Sequence, residues 1–354
     1  MSGTTISVLM SVYNELPYLS KAVQSVLDQT FEDFEFIIVN DGSTDGSGEL
    51  LERFSVADKR IWLVHQENRG LPASLNRGLR MAEGRYVARM DADDISHPER
   101  FKRQVRFLDT NPQIGIVGTQ IEKMDSQDRV RWKWSPPTHP DVIAWRLFFD
   151  TCFCHPTVMA RRSLLEELGG YAEWAEVGQD YELWTRAVLE TRLANLPSRL
   201  YKARRHGDSA TVTDRREQIK TWSEAAATLH RAVLGNSAED QMASFLLWLE
   251  TSGVEKAVKE TGMKDFCRVH EYLCSLYEAC TQRFFTSGSN IQVLRRALRK
   301  LDTIANQVLK GGEWKAGMMC KRQSWSIVSA GEFLPLVWAV FRSRIDRNFR
   351  FSLN

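Results

Sequence analysis

An α/β architecture is predicted for this 354-residue chain: a sheet flanked by helices, followed by a helical appendage. Three observations predict it. Up to about Asp125, short apolar runs alternate with amphipathic ones. After "RRHGDSATVT" the alternation stops and the pattern becomes mostly helical. The composition, 43% hydrophobic and 26% charged, is that of an ordinary globular protein long enough for two domains. We divide the chain at residue 214, with 1–214 as the sheet domain and 215–354 as the helical region.

The elements follow in order. Strands are expected at Ile6 to Tyr13, Phe34 to Asp41, Ile61 to Gln66, Gly84 to Asp91 and Ile114 to Asp125, where β-branched and aromatic residues gather in short runs. Helices are expected between them, near Leu19 to Gln29, Gly46 to Phe54, Pro72 to Ala82 and Pro98 to Leu108, where apolar residues recur at helical spacing. This βα alternation implies a mainly parallel sheet covered on both faces. Ser96 and Glu99 have the spacing of a capping box for the fourth helix. Further on, His155 to Tyr171 reads as a helix closed by Gly169 and Gly170, and Gly178 to Glu190 as a helix with Asp180 in its first turn, where a carboxylate suits the positive end of the dipole.

Ligands of such sheets bind beyond the carboxyl ends of the strands. Those ends carry Tyr13 and Asn14, then Asn40 and Asp41, then Asn68 and Arg69, then Asp91 and Asp93. In "RMDADDISHP" three carboxylates, Asp91, Asp93 and Asp94, fall within four residues. Like charges so close are tolerable only if well solvated or holding a cation. Hard oxygen donors suit Mg²⁺ or Mn²⁺, ions that commonly bridge to phosphates. An aspartate beside small residues in "DGSTDGS" can accept from a base N–H, and the aromatic of "VYNE" can stack on a base. Together these describe a pocket for a nucleotide diphosphate, although a set of solvated turns would give the same letters.

The ordered motifs "SVLMSVYNE", "FEFIIVNDGSTDGS", "NRGLPASLNRGL", "GRYVARMDADD", "HPTVMARRSLLEELGGY" and "GQDYELWTRA" resemble the family 2 glycosyltransferases of the GT-A fold, over roughly Ile6 to Val212. The resemblance implies a mixed sheet flanked by helices and an inverting transfer of sugar from a nucleotide diphosphate sugar, UDP-linked by preference, to an acceptor hydroxyl of a saccharide or lipid-linked saccharide. It implies that Asp41 binds the base and Tyr13 packs on it, with Asn14, Arg69, Arg77 and Asp91 also on the nucleotide. Asp93 would be the metal ligand, joined by His206 of "RRHGD", and Asp180 the catalytic base. One departure stands out: Gln179 precedes Asp180 where the family usually has Glu. A sugar-phosphate nucleotidyltransferase is the rival enzyme class, but "SVYNELPYL" lacks its Gly-rich, basic phosphate loop. A non-catalytic nucleotide-sugar-binding protein is the other rival, encouraged only by Gln179.

Charge and apolar patterning narrow the rest. The formal net charge is +2, but from Ile291 onward 12 Lys and Arg face 4 Asp and Glu, so the body is acidic and the tail basic. No nucleic-acid partner is expected. The start reads straight into a strand without a secretory pattern, no run of 18 uncharged apolar residues occurs, and a cytoplasmic protein is expected. Six cysteines without paired spacing predict buried thiols, "CFCH" included. The stretch Ser324 to Phe351 joins apolar residues to four arginines, suiting either peripheral contact with an anionic bilayer or packing on the helical region. His65, His97 and His155 are expected to be structural, and Trp174 and Trp184 to lie in the core rather than to act as sugar platforms, although Trp174 falls in an expected acceptor loop.

Overall fold

The computed structural model describes residues 4–205, 215–263 and 265–285. Its sheet domain runs β1 (Ile6–Val12), α1 (Leu16–Leu27), β2 (Phe34–Asp41), α2 (Ser47–Ala57), β3 (Ile61–Gln66), α3 (Leu71–Met81), β4 (Tyr86–Met90), β5 (Ile95–Ser96), α4 (Arg100–Thr110), β6 (Ile114–Met124), β7 (Val130–Trp134), α5 (Pro140–Arg146), β8 (Met159–Arg161), α6 (Arg162–Glu167), α7 (Gln179–Glu190) and β9 (Arg192–Arg204). The strands are ordered β3-β2-β1-β4-β8-β6-β9-β5, with β7 paired to β6 alone. The first four are mutually parallel. β8 is antiparallel to both β4 and β6, so the sheet is mixed and its parallel half carries the four strand ends singled out above.

Alternation along each strand feeds two separate apolar layers. Ile6, Val8, Met10 and Val12 face Leu19 and Val23 of α1 and Phe101 and Val105 of α4, while Leu9 points the other way, to Leu75 and Leu79 of α3. Burial on both faces is what the continuous apolar runs required.

Two expected elements differ. Ser96 and Glu99 form no capping box: pairing with Tyr201 of β9 takes Ser96 into β5, and Glu99, at the N-cap, makes no side-chain capping bond and pairs instead with Arg103. The cap comes instead from Gln29, whose Oε1 accepts from the Phe101 amide at 3.1 Å while its Nε2 donates to the Ser96 hydroxyl. His155 to Tyr171 is not one helix. A 3-10 turn at His155–Thr157 leads into β8, and only Arg162–Glu167 is α-helical. The short run Met159 to Arg161 is taken up by the gap between β4 and β6, where strand pairing satisfies its backbone. The glycines do close α6, both at positive φ, with the Gly170 amide on the Leu165 carbonyl at 2.8 Å.

The helical region continues with α8 (Arg215–Leu234), α9 (Asp240–Ser252), α10 (Val254–Thr261) and α11 (Phe266–Phe284). It packs directly on the sheet domain: Trp222 lies 5.0 Å from Tyr181, Tyr277 meets Trp145 edge-on at 5.6 Å, and the buried His230 is bonded to the Phe148 carbonyl. The boundary at 214 thus separates two sequence patterns that share one apolar cluster. His206 and Ser324 to Phe351 lie outside the described residues.

Candidate active site

At the β2 end, Asp41 is 2% exposed and its carboxylate is well supplied with donors. Oδ1 accepts from Gln66 Nε2 at 2.7 Å and the Arg69 amide at 2.9 Å, and Oδ2 accepts from the Gly70 amide at 3.0 Å. Gly70 can present its N–H there because its φ of 83° suits glycine. Of about four acceptor positions on a carboxylate, three are used, leaving one on Oδ2. Arg77 donates to Gln66 Oε1 at 2.9 Å, so it holds the residue that holds Asp41. Arg69 contributes its backbone to Asp41 and keeps its side chain exposed. Tyr13 is half exposed at the adjoining strand end. Asn14, in the left-handed region at φ 55°, ties the two ends together: its amide donates to Ser43 Oγ and its side-chain oxygen accepts from the Thr44 amide.

The β4 end is built differently. Oxygen atoms of Asp91, Asp93 and Asp94 lie within 4.8 Å of one another. Asp94 is 3% exposed, and burial together with Asp93 and Asp91 pushes its pKa well above the usual carboxylate range. Its Oδ1 accepts from the Arg204 amide at 2.6 Å. The guanidinium of Arg89, almost wholly buried in β4, pairs with Asp91. Arg204, its side chain buried at the end of β9, donates to the carbonyls of Asp93 and Asp125, pairs with Asp128 at 2.6 Å and stacks over Tyr18 at 4.3 Å. It thereby fixes the acidic loop to the β6–β7 turn and to α1. The donor set, all hard oxygens within 4.8 Å of one another, fits a divalent cation.

Asp180 opens α7 behind Gly178, whose φ of 88° and close approach to Trp222 exclude any side chain at that position. Burial raises the Asp180 pKa to about 6; the first-turn amides oppose the rise, the Asp91 charge adds to it, and Arg89 lowers it. Asp180 is thus close enough to feel the charges of both Asp91 and Arg89. Cys154, His155 and Tyr171 line the same buried junction: the Cys154 thiol is pushed up to about 12 by burial, and the His155 ring, held to the Tyr171 hydroxyl at 2.9 Å, is kept neutral by burial and by Arg89. Gln179 is buried beside Asp180.

The structure brings Tyr13, Asn14, Asp41 and Arg69 to one half of the sheet edge and Asp91, Asp93 and Asp180 to the other, with Arg77 one layer behind. Sequence reasoning missed Arg89 and Arg204 as parts of the site, and singled out Asp94 only as one of the three clustered carboxylates. The signal for Arg89 was present, since a guanidinium inside the otherwise apolar run "YVARM" needs a buried partner. Trp174, expected in the core, is 58% exposed in the loop before α7; Trp184 is buried as expected.

This strand order, with an acidic loop at the end of the fourth strand, defines a glycosyltransferase of the GT-A type. The family model described as glycosyl transferase family 2 matches residues 7–169, and the chain belongs to that family. A glycosyltransferase of Haemophilus influenzae, itself uncharacterized, is 32% identical over 61% of this chain and 70% of its own. The Escherichia coli O-antigen biosynthesis glycosyltransferase WbnJ is 31% identical over 58% of this chain and 81% of its own. Among solved structures, S. aureus TarS 1-349 in complex with UDP-GlcNAc shares the fold at a TM-score of 0.58, with 17% identity over 90% of both chains. No helix among the described residues is long and apolar enough to cross a membrane.

Proposed function

We propose that the chain transfers a sugar from a UDP-sugar to an acceptor hydroxyl with inversion, in the assembly of a polysaccharide or glycoconjugate. The observation that carries the reading is the Asp180 carboxylate, raised to about 6 and electrostatically coupled to Asp91 of the acidic loop. A hydroxyl is a poor nucleophile, and a carboxylate more basic than usual, yet ionised at neutral pH, is suited to take its proton. In the proposed step the acceptor oxygen bonds to the anomeric carbon as its proton passes to Asp180 and the bond to the diphosphate breaks. A single displacement inverts the anomeric centre and needs no covalent sugar intermediate.

Asp93, with Asp91 beside it, would hold Mn²⁺ or Mg²⁺, and the bound ion would stabilise the charge that grows on the departing diphosphate. Arg89 keeps Asp91 oriented. The base would occupy the β2 end, stacked on Tyr13 and donating to the remaining acceptor position of Asp41; uracil has the N–H this requires. UDP-GlcNAc is recorded with TarS and O-antigen synthesis with WbnJ, and both are compatible with this reading. His206 would join the metal or diphosphate. The saccharide or lipid-linked acceptor, and contact of the basic tail with a membrane surface, are proposed on the sequence pattern alone.

Hydrolysis of a panel of nucleotide sugars, with Mn²⁺, Mg²⁺ or EDTA, tests the reading. Metal-stimulated release of UDP from one donor is expected; no hydrolysis of any donor, combined with no metal-enhanced UDP binding, would overturn it.

A further inference from the structure

The cleft between α7 and the helical region has no role in the reading above. It holds about 390 Å³ and is lined by Trp174 and residues of both regions, among them Thr185, Glu224 and Arg231. Helical geometry decides what it could do. At about 100° per residue, Glu182, Thr185 and Arg186 face away from the side of α7 on which Asp180 lies. The reacting hydroxyl therefore cannot sit in the cleft. Trp174 precedes Asp180 by six residues, no more than about 20 Å of chain even when extended, which is within the span of a short oligosaccharide with one end at Asp180.

The lining is that of a sugar subsite. Trp174 presents an indole that is 58% exposed, a surface suited to the C–H face of a pyranose. The Glu224 carboxylate has no hydrogen-bond partner among the described residues and can accept from hydroxyls. The other charges are matched, Arg186 to Glu182 and Arg231 to Asp240, so the one unmatched charge of the lining is the Glu224 carboxylate, which disfavours an anion. We propose that this cleft is an acceptor subsite for an uncharged, hydroxyl-rich saccharide unit lying beyond the reacting one, with Trp174 as its platform. The inference rests on the transferase reading and deepens it: it assigns a specificity element to the junction of the two regions.

The test needs neither donor nor metal. In the full-length protein labelled with ¹⁵N-tryptophan and kept in EDTA, the Trp174 indole resonance is assigned with Trp174→Phe. Maltotriose, cellotriose, N-acetylchitotriose, mannotriose and galactotriose, and their monosaccharides, are then titrated to about 10 mM. At least one trisaccharide is expected to shift the Trp174 signal and to bind about tenfold more tightly than its monosaccharide. Trp174→Ala should weaken that binding about tenfold and Trp174→Phe should restore part of it. No shift with any trisaccharide, or equal binding by Trp174→Ala, would overturn the proposal. So would a lowered melting temperature or an altered oligomeric state of Trp174→Ala, since Trp174 would then be covered by protein. Donor hydrolysis by the wild-type chain, measured separately, distinguishes the two failures: if hydrolysis is present and Trp174-dependent binding absent, only the subsite falls.

Discussion

The two halves of the sheet edge solve the problem of a buried carboxylate in opposite ways. At the β2 end Asp41 stands alone and is given three donors, two of them backbone amides. At the β4 end three aspartates are pressed together, burial and its two neighbours force Asp94 towards its protonated form, Arg89 pairs with Asp91, and Arg204 holds the Asp93 carbonyl. A carboxylate already satisfied is a fixed wall for recognition, and its worth lies in geometry. A cluster of crowded carboxylates, one of them forced towards its neutral form, gains most when a cation arrives, because its desolvation cost has already been met by the fold. The difference assigns recognition to one end and charge stabilisation to the other.

The largest effect that would sharpen this contrast is expected at Asp180. Asp180→Asn keeps size and first-turn position but removes the proton acceptor, so turnover should fall about 10²- to 10⁴-fold, with UDP-sugar affinity nearly unchanged. Single-turnover transfer and equilibrium binding separate the two; a mutant with near wild-type turnover would move the base elsewhere. Asp93→Ala should come next. It is expected to abolish the enhancement of nucleotide diphosphate binding by Mn²⁺ while leaving binding in EDTA unchanged, as calorimetry would show. Metal-enhanced affinity equal to wild type would break the comparison at its acidic end.

At the other end the expected cost is structural. Asp41→Asn replaces charge-assisted bonds to Gln66, Arg69 and Gly70 with weaker ones and turns an amide donor towards at least one N–H. A loss of about 1–3 kcal/mol in unfolding free energy follows, measured by denaturant titration, together with weakened nucleotide binding that metal does not restore. If stability is untouched, Asp41 is not the anchor its hydrogen bonds describe.

Much of this was legible in the sequence, for identifiable reasons. Strand ends were readable because βα alternation is local and Asp41, Asp91 and Asp93 fall directly after apolar runs. What stayed hidden depends on partners far away in the chain. Gln29 caps a helix more than 70 residues later, a relation no capping motif expresses. β8 is three residues long, and only the gap between β4 and β6 makes it a strand. Arg204 reaches the acidic loop across 110 positions. Trp174 looked like a core residue because its letters are aromatic; only the placement of its loop exposes it.

The smallest effect tests whether the acidic end is under-compensated without its cation. A carboxyl whose pKa is higher in the folded than in the unfolded chain binds more protons when folded, so stability falls as pH rises through the interval between the two values. For Asp180 that interval runs from 3.8 to about 6, and Asp94 extends the effect in the same direction. The metal-free protein is therefore expected to lose stability between about pH 4 and 6 through these two groups, opposite in sign to the acid side of a carboxylate held by donors. Bound Mn²⁺ should reduce the loss, because the cation favours ionised Asp94. Denaturant unfolding at a series of pH values, in EDTA and in Mn²⁺, compared between wild type and Asp94→Asn, isolates the contribution. Asp94→Asn should flatten the metal-free profile and erase part of the stabilisation by Mn²⁺. A wild-type profile that coincides with the mutant's in EDTA would show Asp94 to be compensated like Asp41, and the contrast between the two ends would reduce to one of position.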